Sequence, residues 1–582
     1  MADPSTPVDS APSAAPPSHR GRLEHTEAER FEDSKMVSSI EDRIRIASVA
    51  VIVLAALVFV AIRAPMISMP LERDEGEYAY IAQRLLEGRV PYEDAFDQKP
   101  PGVFAAYALA FIVFGQSIEG IHLNLYLWTA ACGVFLFLIS RRLAGELAAA
   151  FTVLAFAITT ADTKLLATAA NTEHFMLLPM VASVWLLLRA LEDDRAKWWF
   201  LAGALAGGAC WFKQVAVTNA LFVAAYGAGA LLLRTPRPSW RVPVRALALL
   251  LAGAIVVSIP VVMSFVLVGA WESFIDSVLF HNLVYVREIP LPIAFQILRG
   301  AIIYQAPSFF VFWLLAATGL LLIPRIGWSG WTLLVFWHVA NFVGVSLGLH
   351  FRQHYFIQIL PSMCVLVGVA AAFIASRLLA RPSPVVGWVG VVILSISLIA
   401  PPVYGSRKAI FAEDMERRAR QIYGINPFPE SIRIAKHIER GSEPGESIYI
   451  IGSEPQIFFY AHRPSATRYI FFYPLTAKYP DVRERQEQVI REVEESEPRY
   501  IVWVNLASSL LLDAGSERYI FESAAKLTMS EFQLEFVAFT WPSTEGPGFE
   551  FVYGPQAQRR LEELRLAGDP SRGWIAVYRR RG

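Results

Sequence analysis

Cysteine is scarce in this chain: Cys132, Cys210 and Cys364 are the three present, each inside an apolar run and none in a C-x-x-C spacing. That excludes a disulfide framework or a cysteine metal cage and leaves them as small core hydrophobes. Charge is scarce too. Asp, Glu, Lys and Arg make up 18% of the 582 residues and cancel to a formal net charge of zero, so no basic surplus exists with which to hold nucleic acid. No repeat of solenoid period occurs. Nothing near the start resembles a cleavable signal peptide, because the first long apolar run begins only near Ile46.

What the chain has in excess is apolar surface: 54% of its residues are hydrophobic. A helix needs about 20 residues to cross the hydrocarbon core, and runs of roughly that length recur. We expect spans at 46–64, 121–140, 145–161, 173–190, 197–212, 215–233, 246–269, 305–323, 329–348, 355–376 and 384–402. The expected fold is thus a polytopic α-helical membrane protein with about 11 transmembrane helices, plus interfacial helices and a C-terminal soluble α/β domain.

Residues 1–45, rich in Pro, Ala, Ser and mixed charge without apolar periodicity, read as a disordered cytoplasmic leader. The segment "PPGVFAAYALAFIVFG", 100–115, decides the topology. If it does not cross, the basic connections Arg141/Arg142, Arg189 to Lys197, Arg234 to Arg245, Arg325 and Arg377/Arg381 share one side with Arg43 and Arg45, as the positive-inside rule requires. Residues 46–404 then form a transmembrane domain with one long external loop within 71–120, carrying two interfacial helices. An odd span count places 405–582 outside the cytoplasm. There, strand-like runs at 447–452, 468–473, 499–505, "FQLEFVAF" and "WIAVYRR" alternate with helical patterns such as 481–497. "GALAGG", 203–208, signals close helix packing.

Chemistry concentrates at the membrane boundary. "RDEGEYAYIAQRLLEGRVPYEDAFDQKPPG" sets Asp74 and Glu75 at one end and Lys99 before a double proline at the other. Carboxylates at a helix start also offset the macrodipole, and Glu77 reads as capping or solvation. A carboxylate near a lysine beside a membrane suits transfer from a phosphate-linked lipid: one removes a proton from an incoming hydroxyl, the other neutralises the departing phosphate.

Further candidates follow the same logic. Glu173 and His174 open the fourth span, where ionisable residues are often functional, although "NTEH" is also a capping arrangement. Asp162 and Lys164 precede them and could pair. Lys213 either snorkels or meets a phosphate. Arg352, with His350, His354 and Tyr355, forms a cluster suited to a phosphate ligand. His281 lies in the external loop 270–304, where a lone histidine is more often structural.

The pattern D-E-G-x-Y-x-Y after the first span, followed by K-P-P-G, resembles the membrane glycosyltransferases of the C-fold superfamily, nearest to glycosyltransferase family 39, the protein O-mannosyltransferases and the lipid A aminoarabinose transferases. "ANTEHFMLLP", "CWFKQ" and "HFRQHYFIQILP" extend the resemblance over about 46–402. It implies an inverting glycosyltransferase that takes a sugar from a polyprenyl-phosphate donor on the outer membrane face, with a lipid, glycan or protein acceptor and membrane lipid as partners. Asp74 would be the catalytic base, Glu75 its supporter or a metal ligand, and Lys99, Lys213 and Arg352 the donor-phosphate contacts. Glu173, His174, His281, His354 and Tyr355 are candidate substrate or metal contacts. The metal is left unknown: a divalent ion is the one cofactor implied, and the chain departs from its aminoarabinose relatives in carrying Gln98 before Lys99, with Asp97 as a substitute. Two rivals are a lipid-linked sugar transporter or flippase, which needs charges near span centres and paired interrupted halves, and a non-catalytic partner in cell-envelope glycan assembly.

Overall fold

The structure, a computed structural model, describes residues 19–236, 238–286, 289–541, 548–567 and 573–581. Helices dominate the first 410 residues: α1 His19–Arg63, α2 Arg73–Leu86, α3 Gly102–Phe114, α4 Ile118–Ala144, α5 Glu146–Thr159, α6 Thr172–Asp193, α7 Ala196–Cys210, α8 Val217–Leu232 and α9 Arg241–Leu267 come first. The short turns α10 Trp271–Ile275 and α11 His281–Tyr285 follow, then α12 Leu291–Leu321, α13 Ile323–Ser346, α14 Leu360–Leu379 and α15 Pro384–Ile410.

All eleven apolar stretches expected to span are helical. Among the described residues, eight helices are long and apolar enough to cross a bilayer, those of α1, α4, α6, α8, α9, α12, α14 and α15. The others fall short for visible reasons. At 14 and 15 residues, α5 and α7 rise only about 21–23 Å against the roughly 30 Å of a hydrocarbon core, and α13 is broken at Gly327, where φ is 69°. α5 is buried along nearly its whole length, packed by α1, α4 and α14.

The close-packing signal at 203–208 is realised between α7 and α9. A Cβ on Gly203 would lie 2.0 Å from the Leu250 carbonyl oxygen, and one on Gly253 would lie 2.0 Å from that of Phe200. Backbone touches backbone there, which is how two apolar helices gain van der Waals contact without help from water.

Three expectations are corrected. Of the leader, residues 1–18 lie outside the described residues, while 19–45 continue α1 without a break. The loop expected over 270–304 is largely helical, since α12 begins at Leu291. In the C-terminal part, 468–473 is not a strand: Tyr469 to Phe472 are buried in a bend, where the Phe472 N–H donates to Ser453 Oγ (2.9 Å).

After α16 (Met415–Tyr423) and α17 (Phe428–Arg440) comes a five-stranded sheet of β1 Ile448–Ile451, β2 Tyr500–Asn505, β3 Phe532–Trp541, β4 Gly548–Tyr553 and β5 Trp574–Arg580. Its order is β1-β2-β5-β3-β4, with β1 and β2 parallel and the other pairs antiparallel. Helices α18 (Gln456–Ala461), α19 (Tyr473–Thr476) and α20 (Val482–Ser496) link β1 to β2.

This domain does not stand apart from the loop. α2, α3, the 90–96 turn and the sheet share one hydrophobic core, in which Tyr78, Tyr80, Phe96 and Phe104 meet Ile448, Phe458, Phe471 and Val502. Polar contacts close the same seam. Ser465 N–H donates to Tyr80 Oη (2.8 Å), Leu71 N–H to Tyr460 Oη (2.8 Å) and Phe96 N–H to the Arg468 carbonyl (2.8 Å). Arg73 pairs with the buried carboxylate of Glu454 at 2.7 Å. Gly76 has no room for a side chain, because a Cβ there would lie 2.5 Å from that of Gln456. The glycine of D-E-G-x-Y thus lets α18 lie against α2.

Candidate active site

The helix α2 sorts its carboxylates by face. Residues one apart on a helix point about 100° apart, while residues three or four apart share a face. Asp74, Glu77 and Tyr78 therefore lie on one side and Glu75 on another. Glu75 is fully buried and spent on structure. Its Oε2 accepts the Glu72 N–H (3.0 Å), completing a capping arrangement, while Oε1 accepts the Ala170 N–H (2.6 Å) and meets His122 Nε2 (3.1 Å). The expectation that Glu75 assists Asp74 or holds a metal is corrected on that ground.

Asp74 is different. It is half-buried and its carboxylate has no hydrogen bond or ion pair among the described residues, yet Lys99, His354, Glu173 and Lys213 all act on it electrostatically. Burial opposes its ionisation, but the Lys99 ammonium, helped by Lys213, holds it below its ordinary range.

Lys99 is fixed by its surroundings. Its carbonyl accepts from Tyr92 Oη (2.9 Å), its N–H donates to Asp97 Oδ1 (3.0 Å), and the preceding carbonyl, that of Gln98, accepts from Gln214 Nε2 (3.1 Å) and Asn282 Nδ2 (2.8 Å). The ammonium lies 3.5 Å from Asp97, 3.6 Å from Glu77 and 5.4 Å from the Tyr78 ring centroid. Glu77 is thus neither solvated nor a cap; it is 2% exposed. Burial pushes both Glu77 and Asp97 up, helped at Glu77 by the charge of Asp97 and at Asp97 by that of Asp74, while Asp74, Asp97 and Glu77 together outweigh burial and hold the Lys99 ammonium protonated well above its usual range. Glu77 Oε1 and Asp97 Oδ2 are both buried without a hydrogen-bond partner.

A second cluster faces Asp74 from the bundle. Glu173, at the start of α6, is ion-paired with Lys213 and lies 3.7 Å from His354 Nε2. The Lys213 ammonium sits 4.0 Å over the Tyr355 ring, and Tyr355 Oη is 3.1 Å from Tyr285 Oη. Arg352 is exposed, its guanidinium makes no hydrogen bond or ion pair among the described residues, and it interacts electrostatically with Tyr285, Tyr355, Tyr473 and Asp74. Lys99, Lys213 and Arg352 therefore converge on Asp74 from three separate segments of the chain.

Two candidates fall outside this centre. His174 uses Nε2 on the Ala167 carbonyl (3.0 Å), so it braces the loop before α6. His281 is enclosed at the seam with the soluble domain. Its Nε2 meets Tyr479 Oη (2.8 Å), its ring stacks on Tyr479 at 4.4 Å, and burial with the neighbouring Arg485 pushes it down to about 3. Asp162 and Lys164 do not pair through their side chains: Asp162 Oδ1 takes the Lys164 backbone N–H (2.8 Å), and the ammonium lies over Tyr304.

Four residues went unnoticed in the sequence reading: Glu77 and Asp97 as partners of Lys99, and Tyr285 and Tyr473 at the rim. The i, i+3 spacing of Asp74 and Glu77 was a usable signal; the aromatics, distant in sequence, gave none. Among the described residues no group of three His, Cys, Asp or Glu side chains converges to hold a metal ion. Glu77 and Asp97 already have Lys99 as counter-charge, so the residues present do not make a metal cage.

An apolar helical bundle roofed by an α/β domain, with the Asp74 carboxylate set among three cations at its end, is a fold that this chain shares with solved membrane proteins. Residues 98–263, from Gln98 through the Lys99 turn, Glu173 and Lys213, match the model of the dolichyl-phosphate-mannose-protein mannosyltransferase family. Several solved structures are similar, two of them as follows. ArnT from Cupriavidus metallidurans, bound to undecaprenyl phosphate, is 16% identical over 87% of this chain and 99% of its own, with a TM-score of 0.55. The archaeal oligosaccharyltransferase AglB from Archaeoglobus fulgidus, in complex with an inhibitory peptide and a dolichol-phosphate, is 13% identical over 88% of this chain and 74% of its own, with a TM-score of 0.52. No curated protein matches the chain in sequence.

Proposed function

We propose that this protein is an inverting glycosyltransferase that moves a sugar from a polyprenyl-phosphate donor to an acceptor hydroxyl or amine at the outer face of the membrane. The observation that carries the reading is Asp74: an unpartnered carboxylate at the end of an apolar bundle, within the field of Lys99, Lys213 and Arg352. The likeness to proteins whose structures contain undecaprenyl phosphate and dolichol-phosphate supports the donor class.

The geometry divides the labour. The polyprenyl chain lies along the apolar helices, and its phosphate is drawn to the three cations. As the acceptor attacks the anomeric carbon, its proton passes to Asp74, and the carbon–oxygen bond to phosphate breaks. The leaving phosphate keeps the electron pair, and its second negative charge is neutralised by Lys99 without a general acid. A carboxylate held below its usual range is a weak base in the empty site. The donor phosphate changes that, because an anion placed among the cations cancels the field that stabilised ionised Asp74 and raises its proton affinity as the substrate arrives. Glu77 and Asp97 hold Lys99 in position from behind.

The test is transfer by purified protein in nanodiscs, supplied with a panel of polyprenyl-phosphate sugars and assayed for released polyprenyl phosphate. Asp74→Asn is expected to lower turnover by at least about a thousandfold while leaving thermal unfolding unchanged. Near-normal release by that variant overturns the reading.

A further inference from the structure

The soluble domain contains a cavity of about 720 Å³ into which none of Asp74, Lys99, Lys213 or Arg352 projects. One wall is a stripe of α17: Pro429, Ile432, Arg433, Lys436, His437 and Arg440, at the i, i+3, i+4, i+7 spacing of a single helix face. The opposite face of α17, with Phe428, Ile434, Ala435 and Ile438, is buried. The other wall is the sheet, where Tyr500 of β2, Arg579 of β5, Glu535 and Phe536 of β3 and Tyr553 of β4 come from four adjacent strands.

The strand register shows that this wall is shaped. In a regular strand Glu535 and Phe536 would point to opposite faces. The pairing of β3 with β5 slips between Leu534 and Phe536, a bulge whose extra residue is Glu535, and both side chains consequently line the cavity. Bulges re-aim side chains in this way. The re-aimed carboxylate is hydrogen-bonded to His437 Nε2 and lies 3.7 Å from Arg579, so it occupies the charge of Arg579. The His437 ring in turn packs edge-on against Phe536 at 4.9 Å.

Three cations of α17 remain. Arg433 is steadied by Tyr553 Oη (3.2 Å) and stacks over Phe551 at 3.9 Å. Lys436 and Arg440 are exposed and have no ion pair among the described residues. Glu416 on the rim is the only acidic lining residue besides Glu535. A concave space of ligand size, with cations on one wall and the exposed ring of Tyr553 on the other, combines the two chemistries of a charged sugar. The ammonium and guanidinium groups meet an anionic substituent, and the Tyr553 ring takes the apolar side of a pyranose ring.

We propose that this cavity binds an anionic saccharide, a sugar bearing phosphate or carboxylate. The site stands independently of the transfer reaction assigned to Asp74. It does, however, abut the catalytic helix, because Pro70 lines the cavity four residues before Asp74 and the chain between them enters α2.

The experiment is titration calorimetry of the full chain in nanodiscs of zwitterionic lipid. The probes are a hexose 6-phosphate, digalacturonate, the neutral hexose, inorganic phosphate and glycerol 1-phosphate, the last standing in for a lipid headgroup. The phosphosugar or the digalacturonate is expected to bind at least about tenfold more tightly than the other three. Lys436→Gln/Arg440→Gln should weaken that binding by at least about tenfold with unfolding unchanged, and Asp74→Asn should bind normally, which separates this site from catalysis. Lys436→Arg, which keeps the charge, should retain affinity and so controls for folding. Binding of inorganic phosphate or glycerol phosphate as tight as that of the phosphosugar, or full affinity in the double variant, overturns the proposal.

Discussion

Glu75 and His122 meet at 3.1 Å in a wholly buried position, on the side of α2 away from Asp74. Adjacent carboxylates in the sequence thus have separate roles. Removing the Glu75 charge strands the Ala170 and Glu72 N–H groups, a loss of about 2–4 kcal/mol for buried, charge-assisted bonds. Glu75→Ala is expected to lower the unfolding temperature and the yield of folded protein, while turnover per folded molecule stays within a few-fold of normal. Asp74→Asn should do the reverse. Differential scanning fluorimetry paired with a transfer assay separates the two, and a thermally normal but inactive Glu75→Ala would overturn the division.

The Glu173–Lys213 pair lies in a largely buried setting, with side chains 2% and 14% exposed. Lys213→Met leaves the Glu173 charge without its main partner, a cost of about 3–5 kcal/mol where the remaining ion is buried. Removing both, in Lys213→Met/Glu173→Leu, should recover most of that stability without recovering donor use. A double-mutant cycle on thermal unfolding measures the coupling, and additive losses would show that the pair does not act as a unit.

The proton equilibria at Asp74 and Lys99 set a pH window. Asp74 is held below its unfolded value, so its contribution to stability is fully present above that value and is lost as pH falls through the folded one. Lys99 is raised, so its contribution is present below its unfolded value and is lost only as pH rises through the folded one. The kcat/KM profile, which reports the free enzyme, should stay flat through the ordinary carboxylate range and decline only at pH below it. The acid limb of kcat, which reports the donor complex, should lie at higher pH, since donor phosphate cancels the cation field. Coincident limbs would sink the proposed coupling between donor binding and Asp74 basicity.

Arg73 ties α2 to the soluble domain through Glu454 and the Ser453 carbonyl. Arg73→Ala is expected to loosen that seam, raising hydrogen exchange in 72–80 and 453–460 together and cutting turnover at least about tenfold. Exchange that changes on one side only would mean the two segments are not coupled.

The periodicity of the first 400 residues disclosed the helical bundle, because lipid imposes a strong and repetitive constraint on sequence. The short helices α5 and α7 read as spans since apolar content does not distinguish a helix facing lipid from one buried among other helices. The bend at 468–473 carried a strand-like string, "RYIFFY", whose β-branched and aromatic residues serve burial under Phe96 instead. At the site, Asp74 and Lys99 were legible from their flanking motifs, and Lys213 and Arg352 from lone cations beside apolar runs. Glu77 was misread because its sequence neighbourhood resembles a solvated helix start, and only the turn at 97–99 shows that it is covered.

The core shared by α2, the 90–96 turn and the sheet also orders events in time. Leu71 waits for Tyr460 and Tyr80 for Ser465, separations of 389 and 385 residues. At roughly 5–20 residues per second of synthesis, the helix bearing Asp74 spends about 20–80 s without its roof. Neither α2 nor the turn that leads to Lys99 is seated against the sheet domain until residues 460–468 have emerged, so a truncated product left in the bilayer would carry the apolar bundle with the Asp74 helix uncovered.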